Sequence, residues 1–188
     1  EIAKEDFDSF MKKSDFKAIN VTIPYKQDVI PYLAEIDETA LKIGAVNTIV
    51  NNNGKLCGYN TDFLGLKSLI EYANISLKNK KVLILGSGGT SKTAVAVAEA
   101  LKAKEIHRVS RNGAEGLITY AKAQKNHSDT EIIINTTPCG MYPGNGDAAI
   151  DIDKFTKLSG VVDVIYNPLN SFLVTKAKAK GIAAIGGL

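Results

Sequence analysis

The chain has 188 residues, 45% of them hydrophobic and 23% charged, with a formal net charge of +3. That is the composition of a globular protein of one ordinary domain or two small ones. Its scattered basic residues speak against a nucleic-acid or membrane partner, and no apolar run approaches the about 20 residues that span a bilayer. No signal-peptide pattern opens the sequence. Cys57 and Cys139 lie far apart, outside any metal-ligand spacing, and are read as reduced thiols of a cytoplasmic protein. Only His107 and His127 could join them, so no metal site is expected, and both histidines are assigned to structure or surface.

In chain order, the sequence predicts a helix over 5–13, a strand over 17–22, a turn at Pro24 and a helix starting near Lys26. A helix over 37–43 follows, then strands 47–50 and 56–59 joined by Asn51-Asn52-Asn53-Gly54. The Asn-Gly pair tolerates the positive φ angles of a tight hairpin. Asp62 is the expected N-cap of a helix carrying Phe63, Leu64, Leu66, Leu69 and Ile70. From Lys81 the pattern changes. Val82-Leu83-Ile84-Leu85 is a continuous apolar run, as in a strand buried on both faces of a parallel sheet. A helix with Ala94, Val95, Val97, Ala98 and Leu101 follows, then strand 105–110, a helix near 117–123 and strand 132–135. Strand 161–165, a helix near 172–179 and strand 182–185 complete the pattern. Strands alternating with helices indicate a doubly wound parallel sheet. The boundary between the two regions falls at or within the helix after Asp62.

The run Gly86-Ser87-Gly88-Gly89-Thr90-Ser91 leaves a strand and opens a helix, the context in which a glycine pattern binds a dinucleotide. Gly86 permits the sharp turn. Gly88 has no side chain to block a pyrophosphate, which the amides and dipole of the helix N-terminus favour. Ser91 stands at the third glycine position and is small enough to let the helix lie close to the sheet. The second strand ends Val109-Ser110-Arg111-Asn112, without the carboxylate that usually accepts the ribose hydroxyls of NAD. A guanidinium there grips a phosphate while a carboxylate would repel it, so NADP is favoured over NAD.

The N-terminal third carries Asn20-Val21-Thr22-Ile23-Pro24-Tyr25-Lys26, Gly44-Ala45-Val46-Asn47-Thr48 and Gly58-Tyr59-Asn60-Thr61-Asp62. Further on stand Asn135-Thr136-Thr137-Pro138-Cys139-Gly140-Met141, Asp163-Val164-Ile165-Tyr166-Asn167-Pro168 and Gly186-Gly187-Leu188. Together with the glycine loop, in this order and spacing, they resemble the shikimate dehydrogenases over nearly the whole chain. The resemblance implies an α/β fold, with a partial N-terminal α/β substrate domain (1–62) followed by a Rossmann-like doubly wound parallel sheet domain for NADP (63–188). It implies reversible NADPH-dependent reduction of 3-dehydroshikimate to shikimate, on the route to chorismate and the aromatic amino acids. The family's Lys/Asp pair falls on Lys26 and Asp62, and its substrate contacts on Thr22, Asn47 and Tyr166. The cofactor contacts fall on Gly86, Ser87, Gly88, Gly89, Thr90, Ser110, Arg111, Asn112, Val164 and Gly187, with Thr136 and Thr137 nearby.

The residue types suit that chemistry. Hydride addition to a ketone builds negative charge on oxygen, which a positioned ammonium stabilises and protonates, while a neighbouring carboxylate orients the ammonium. Asn47 and Thr22 offer neutral hydrogen bonds to a polyhydroxylated ring. Substrate is expected on the N-terminal side of a two-domain cleft, as a monomer or homodimer. The sequence departs from the family at Ala18, at Ser87 and Thr90 of its glycine loop, and at Asn112-Gly113, which leaves the 2′-phosphate mainly to Arg111 and Ser110. The family's opening strand with its paired serines and its closing glutamine-bearing helix are not in this sequence. The expectation is a piece of a longer polypeptide that binds NADP and grips shikimate poorly. Two alternatives stay open: an NAD-linked quinate/shikimate dehydrogenase, and a nucleotide-binding sensor that has lost catalysis.

Overall fold

The computed structural model describes residues 2–113, 116–144 and 146–187. The chain divides into two units, 1–61 and 62–188.

The first unit opens with a 3-10 turn and helix α1 (Phe7–Lys13), then strand β1 (Ala18–Asn20). A 3-10 turn, Ile30–Tyr32, leads to the short strand β2 (Glu35–Ile36) and helix α2 (Glu38–Ile43). Asp37 caps α2, its carboxylate accepting from Thr39 N–H at 2.9 Å and Ala40 N–H at 3.3 Å. Strands β3 (Thr48–Asn52) and β4 (Lys55–Tyr59) form the expected hairpin, with Asn53 and Gly54 at φ 54° and 90°. The sheet runs β1-β3-β4-β2, and only the β2–β4 pair is parallel. Its core is Met11, Val21, Val29, Ala40, Val46, Ile49 and Leu56.

The helix expected from Lys26 does not form: residues 23–29 are turns leading into the 3-10 segment. The Lys26 carbonyl, which a helix would offer to Ile30, accepts instead from Val46 N–H at 2.7 Å, and Ile30 N–H turns back to Gln27 O at 3.2 Å. Ile30 also precedes Pro31, which disfavours helical backbone at that position.

The second unit starts with helix α3 (Asp62–Tyr72), so Asp62 is its first residue rather than the residue before it. Then come β5 (Lys81–Leu85), α4 (Gly89–Ala100), β6 (Glu105–Ser110), β7 (Ile118–Thr119) and α5 (Tyr120–Asn126). After β8 (Ile132–Asn135) come β9 (Gly160–Asp163), α6 (Phe172–Ala179) and β10 (Ala183–Gly186). The helix expected near 117–123 thus starts later, because Ile118 and Thr119 pair with the tip of β6 and Thr119 then caps α5.

The sheet order is β10-β9-β8-β5-β6-β7, with every pair parallel. Pleating sorts the side chains. Val82, Ile84, Ile132, Ile134 and Val162 pack with α3 and α4, while Leu83, Leu85, Val109, Ile133 and Val161 pack with α5 and α6. Both faces are covered, which is why β5 reads as an unbroken apolar run. Each fully buried aliphatic contributes about 1.5–3 kcal/mol of burial energy. Among the described residues no helix is long and apolar enough to cross a membrane.

Candidate active site

The order of the second sheet puts β5 beside β8, and the chain leaves these two strands toward opposite edges. Ligands of open α/β sheets bind at the carboxyl ends of such a pair. Gly86 follows β5 and Thr136 follows β8. Gly86 N–H donates to Val109 O at 2.8 Å, and Thr136 donates to Leu85 O through its N–H at 2.9 Å and its hydroxyl at 2.6 Å. Gly86 has φ 127°, and a β-carbon there would lie 2.5 Å from Thr136 Oγ1. Backbone conformation and crowding both require glycine at this turn.

Gly88 is different: a β-carbon on it would meet nothing within 4 Å. It is the N-cap of α4 and supplies no side chain to cap the helix, which leaves room beside the helix N-terminus. An anion fits this cradle by charge and by room. Ser91 is buried, its hydroxyl donating to Gly88 O at 2.7 Å. Arg108, which sequence reading missed, braces the loop from β6: its Nη2 donates to Ser87 O at 2.9 Å and to Ser91 Oγ at 3.0 Å. A cation on a strand lined by the glycine loop was the available signal.

At the tip of β6, Gly113 N–H donates to Ser110 Oγ at 3.0 Å, which folds the turn holding Arg111 and Asn112, both exposed. No carboxylate stands in residues 110–113, in keeping with a phosphate rather than a ribose diol at this position.

A buried polar network places the remaining loops, and sequence reading did not foresee it. Asn135 Nδ2 donates to Asp163 Oδ1 at 3.0 Å, and Ser171 Oγ donates to Asp163 Oδ2 at 2.6 Å. Burial pushes the Asp163 carboxyl up, against the hydrogen bonds from Ser171, Ile165 N–H and Asn135. Asn135 Oδ1 accepts from Thr137 N–H at 3.1 Å and its hydroxyl at 2.7 Å, and Val164 N–H donates to Asn135 O at 3.1 Å. Thr137 and Val164, both expected at the cofactor, are thereby fixed to one side chain and its backbone. Tyr166 is exposed, 68% accessible, on the loop after β9. Gly187 N–H donates to Ile165 O at 2.8 Å. Leu188 of the Gly-Gly-Leu motif lies outside the described residues.

In the first unit the three N-terminal motifs meet at one end of the sheet. Val21 N–H donates to Asn47 O at 2.7 Å, and Asn47 N–H donates to Tyr59 O at 3.0 Å. This sets Asn47 between the strand end that carries Thr22 and the one that leads to Asn60. Asn47 Nδ2 donates to Thr61 Oγ1 at 2.9 Å, and Thr61 N–H donates to Asn47 Oδ1 at 2.9 Å. Asn60 Nδ2 donates to Ala45 O at 3.0 Å. Lys26 is half-buried, and Val46 N–H ties its backbone to the residue before Asn47. Asp62, half-buried, opens α3 in the second unit.

A six-stranded parallel sheet with a glycine loop at its switch point is the dinucleotide-binding architecture of the Rossmann class. A family model described as the shikimate dehydrogenase substrate binding domain matches residues 1–49. The NADP(+) shikimate dehydrogenase of Methanosphaera stadtmanae is 43% identical over 94% of this chain and 68% of its own length. Shikimate dehydrogenase 1 of Peptoclostridium difficile has a TM-score of 0.90 and 34% identity, covering 100% of this chain and 73% of that one. The Thermus thermophilus enzyme, solved with NADP(H) and shikimate, has a TM-score of 0.80 and 26% identity over 97% of this chain and 72% of that one. The chain belongs to the shikimate dehydrogenase family, NADP-linked oxidoreductases of aromatic amino acid biosynthesis.

Proposed function

We propose that residues 1–62 bind shikimate or 3-dehydroshikimate and that residues 63–188 hold NADP(H), with Lys26 and Asp62 as the general acid/base pair. The reaction is the reversible NADPH-dependent reduction of 3-dehydroshikimate to shikimate. NADPH, when bound, supplies the hydride. The first-turn amides of α4 and the Gly86–Thr90 loop would receive the pyrophosphate. The Arg111 guanidinium would receive the 2′-phosphate, helped by Ser110, whose oxygen accepts from Gly113 and whose own O–H remains a donor. Asn112, Thr136, Thr137, Val164 and Gly187 would complete the cofactor side.

In the reducing direction the Lys26 ammonium stabilises charge growing on the ketone oxygen and delivers its proton there. In the other direction its amine takes the hydroxyl proton. The Asp62 carboxylate orients that ammonium and accepts from a substrate hydroxyl. Asn47 reaches the substrate with its amide already oriented by Thr61, and Thr22 and Tyr166 add hydroxyl groups. The open cradle at Gly88, beside the crowded Gly86, is the observation that carries the nucleotide half of this reading. We place the protein in the cytoplasm, as a monomer or homodimer, where its free thiols Cys57 and Cys139 stay reduced.

The test is NADPH formation from shikimate and NADP, with NAD and quinate in parallel. Turnover with shikimate and NADP, falling by about 10²–10⁴-fold in Lys26→Ala, is expected. Preference for NAD and quinate would shift the reading to a quinate dehydrogenase. Full activity in Lys26→Ala would remove the acid/base assignment.

A further inference from the structure

The N-terminal edge of the second sheet, opposite the glycine loop, carries a cluster that neither the hydride-transfer chemistry nor the nucleotide site uses. Glu105 and His107 stand two apart on β6 and so face the same side, toward α5, which ends at Asn126. His127 follows that helix. One ligand atom from each of the three side chains lies within 4.8 Å of the other two. We propose that Glu105, His107 and His127 form a binding site for a divalent transition metal ion of the zinc type, with a fourth position left for water.

Two imidazoles and a carboxylate are a ligand set that such ions accept in tetrahedral geometry. Metal–ligand bonds of about 2.0–2.2 Å put tetrahedral ligand atoms about 3.3 Å apart, so closing the site takes side-chain shifts of about 1.5 Å at most. The two rings already lie 4.2 Å apart at 54°, and His107 Nε2 meets Glu105 Oε1 at 2.5 Å.

His127 is also fixed through its backbone. Its N–H caps α5 on Ala123 O at 3.0 Å, and its carbonyl accepts from the Thr130 N–H at 3.0 Å and the Thr130 hydroxyl at 2.7 Å. Its Nδ1 is buried and meets no hydrogen-bond partner among the described residues. A metal bond at that nitrogen would supply the partner it lacks. Lys81 competes for Glu105 at 3.3 Å, but Asp129 offers it a second carboxylate at 2.9 Å. Glu105 and Ser110 are the two ends of β6, so the ion would sit about 16 Å from the nucleotide tip. It would brace α5 against the sheet and stay outside the chemistry.

Untagged, chelator-stripped chain is titrated with Zn²⁺ by calorimetry and with Co²⁺ by visible absorption. The expected result is one equivalent bound, four-coordinate cobalt bands and a higher thermal midpoint. Affinity should fall at least tenfold in His107→Asn and in His127→Gln, with NADP affinity unchanged. Glu105→Gln, at a half-exposed side chain, gives the same reading should a histidine variant fold poorly. Absence of saturable one-to-one binding would overturn the proposal, as would equal affinity in the double histidine variant, which would point to the cysteines.

Discussion

Asn47 holds Thr61 with both ends of its amide, donating to the hydroxyl at 2.9 Å and accepting from the backbone N–H at 2.9 Å. Thr61 is the residue before Asp62, so one side chain fixes the backbone that carries the proposed carboxylate. Asn47→Ala should therefore lower kcat/KM for shikimate by about 10–100-fold while NADP affinity stays put, since the lost groups orient the substrate side alone. Thr61→Val keeps the N–H half of the clamp and should lose less. Steady-state kinetics with both variants checks the order, and equal losses would show that the hydroxyl half alone matters.

Gly86→Ala meets two obstacles, a φ of 127° and a β-carbon 2.5 Å from Thr136 Oγ1. The expected cost is about 1–3 kcal/mol of stability and at least tenfold in NADP affinity, read by denaturation and fluorescence titration. Adding Thr136→Ala relieves the contact but not the backbone angle, so recovery should be partial. Full recovery would show that the angle costs nothing.

Ser171 serves two partners: it donates to Asp163 at 2.6 Å, and it caps α6 by accepting from Val174 N–H at 3.3 Å. Ser171→Ala leaves a buried carboxylate oxygen without its donor and the helix without its cap. We expect a loss of about 2–4 kcal/mol in urea unfolding. A loss under about 0.5 kcal/mol would mean that water replaces the hydroxyl at no cost.

Lys176 and Lys180 hold Asp153 well down, from the ordinary 3.8 to about 2. Between those two values the unfolded chain takes up a proton that the folded one refuses, so stability falls as pH falls through that window. Asp163 acts with the opposite sign. Its carboxyl is raised, so the folded chain takes up the proton first, and its contribution to stability rises as pH drops through its folded value toward 3.8. Lys176→Met should flatten the acid limb of the thermal midpoint against pH, without moving the midpoint's neutral plateau far. An unchanged acid slope would sink the assignment to Asp153.

The legible parts of the fold share a physical cause. Strands β6 and β8 and helix α6 are read at their observed bounds because their signals are local: two-sided burial, a serine cap, the switch from period two to period 3.6. The segment after Pro24 is misread because its decisive hydrogen bond comes from Val46, distant in sequence. The glycine loop is legible for the same reason as the strands. Arg108 is not, since an arginine on a strand reads as surface until its partners Ser87 and Ser91 are seen. The Asn135–Asp163–Ser171 network joins residues 28 and 8 positions apart, and no local pattern announces such a link.

Strand β6 serves two structures on opposite faces with one alternation. Arg108 points to the glycine loop, and its neighbours His107 and Val109 point to the α5 side. A slip of β6 by one residue against β5 would exchange those faces. The loop would lose its brace and the histidine cluster would lose its ring in the same event, so neither can be corrupted alone by misregistration. A chain that has paired β6 wrongly therefore reports the error twice, at both ends of the sheet.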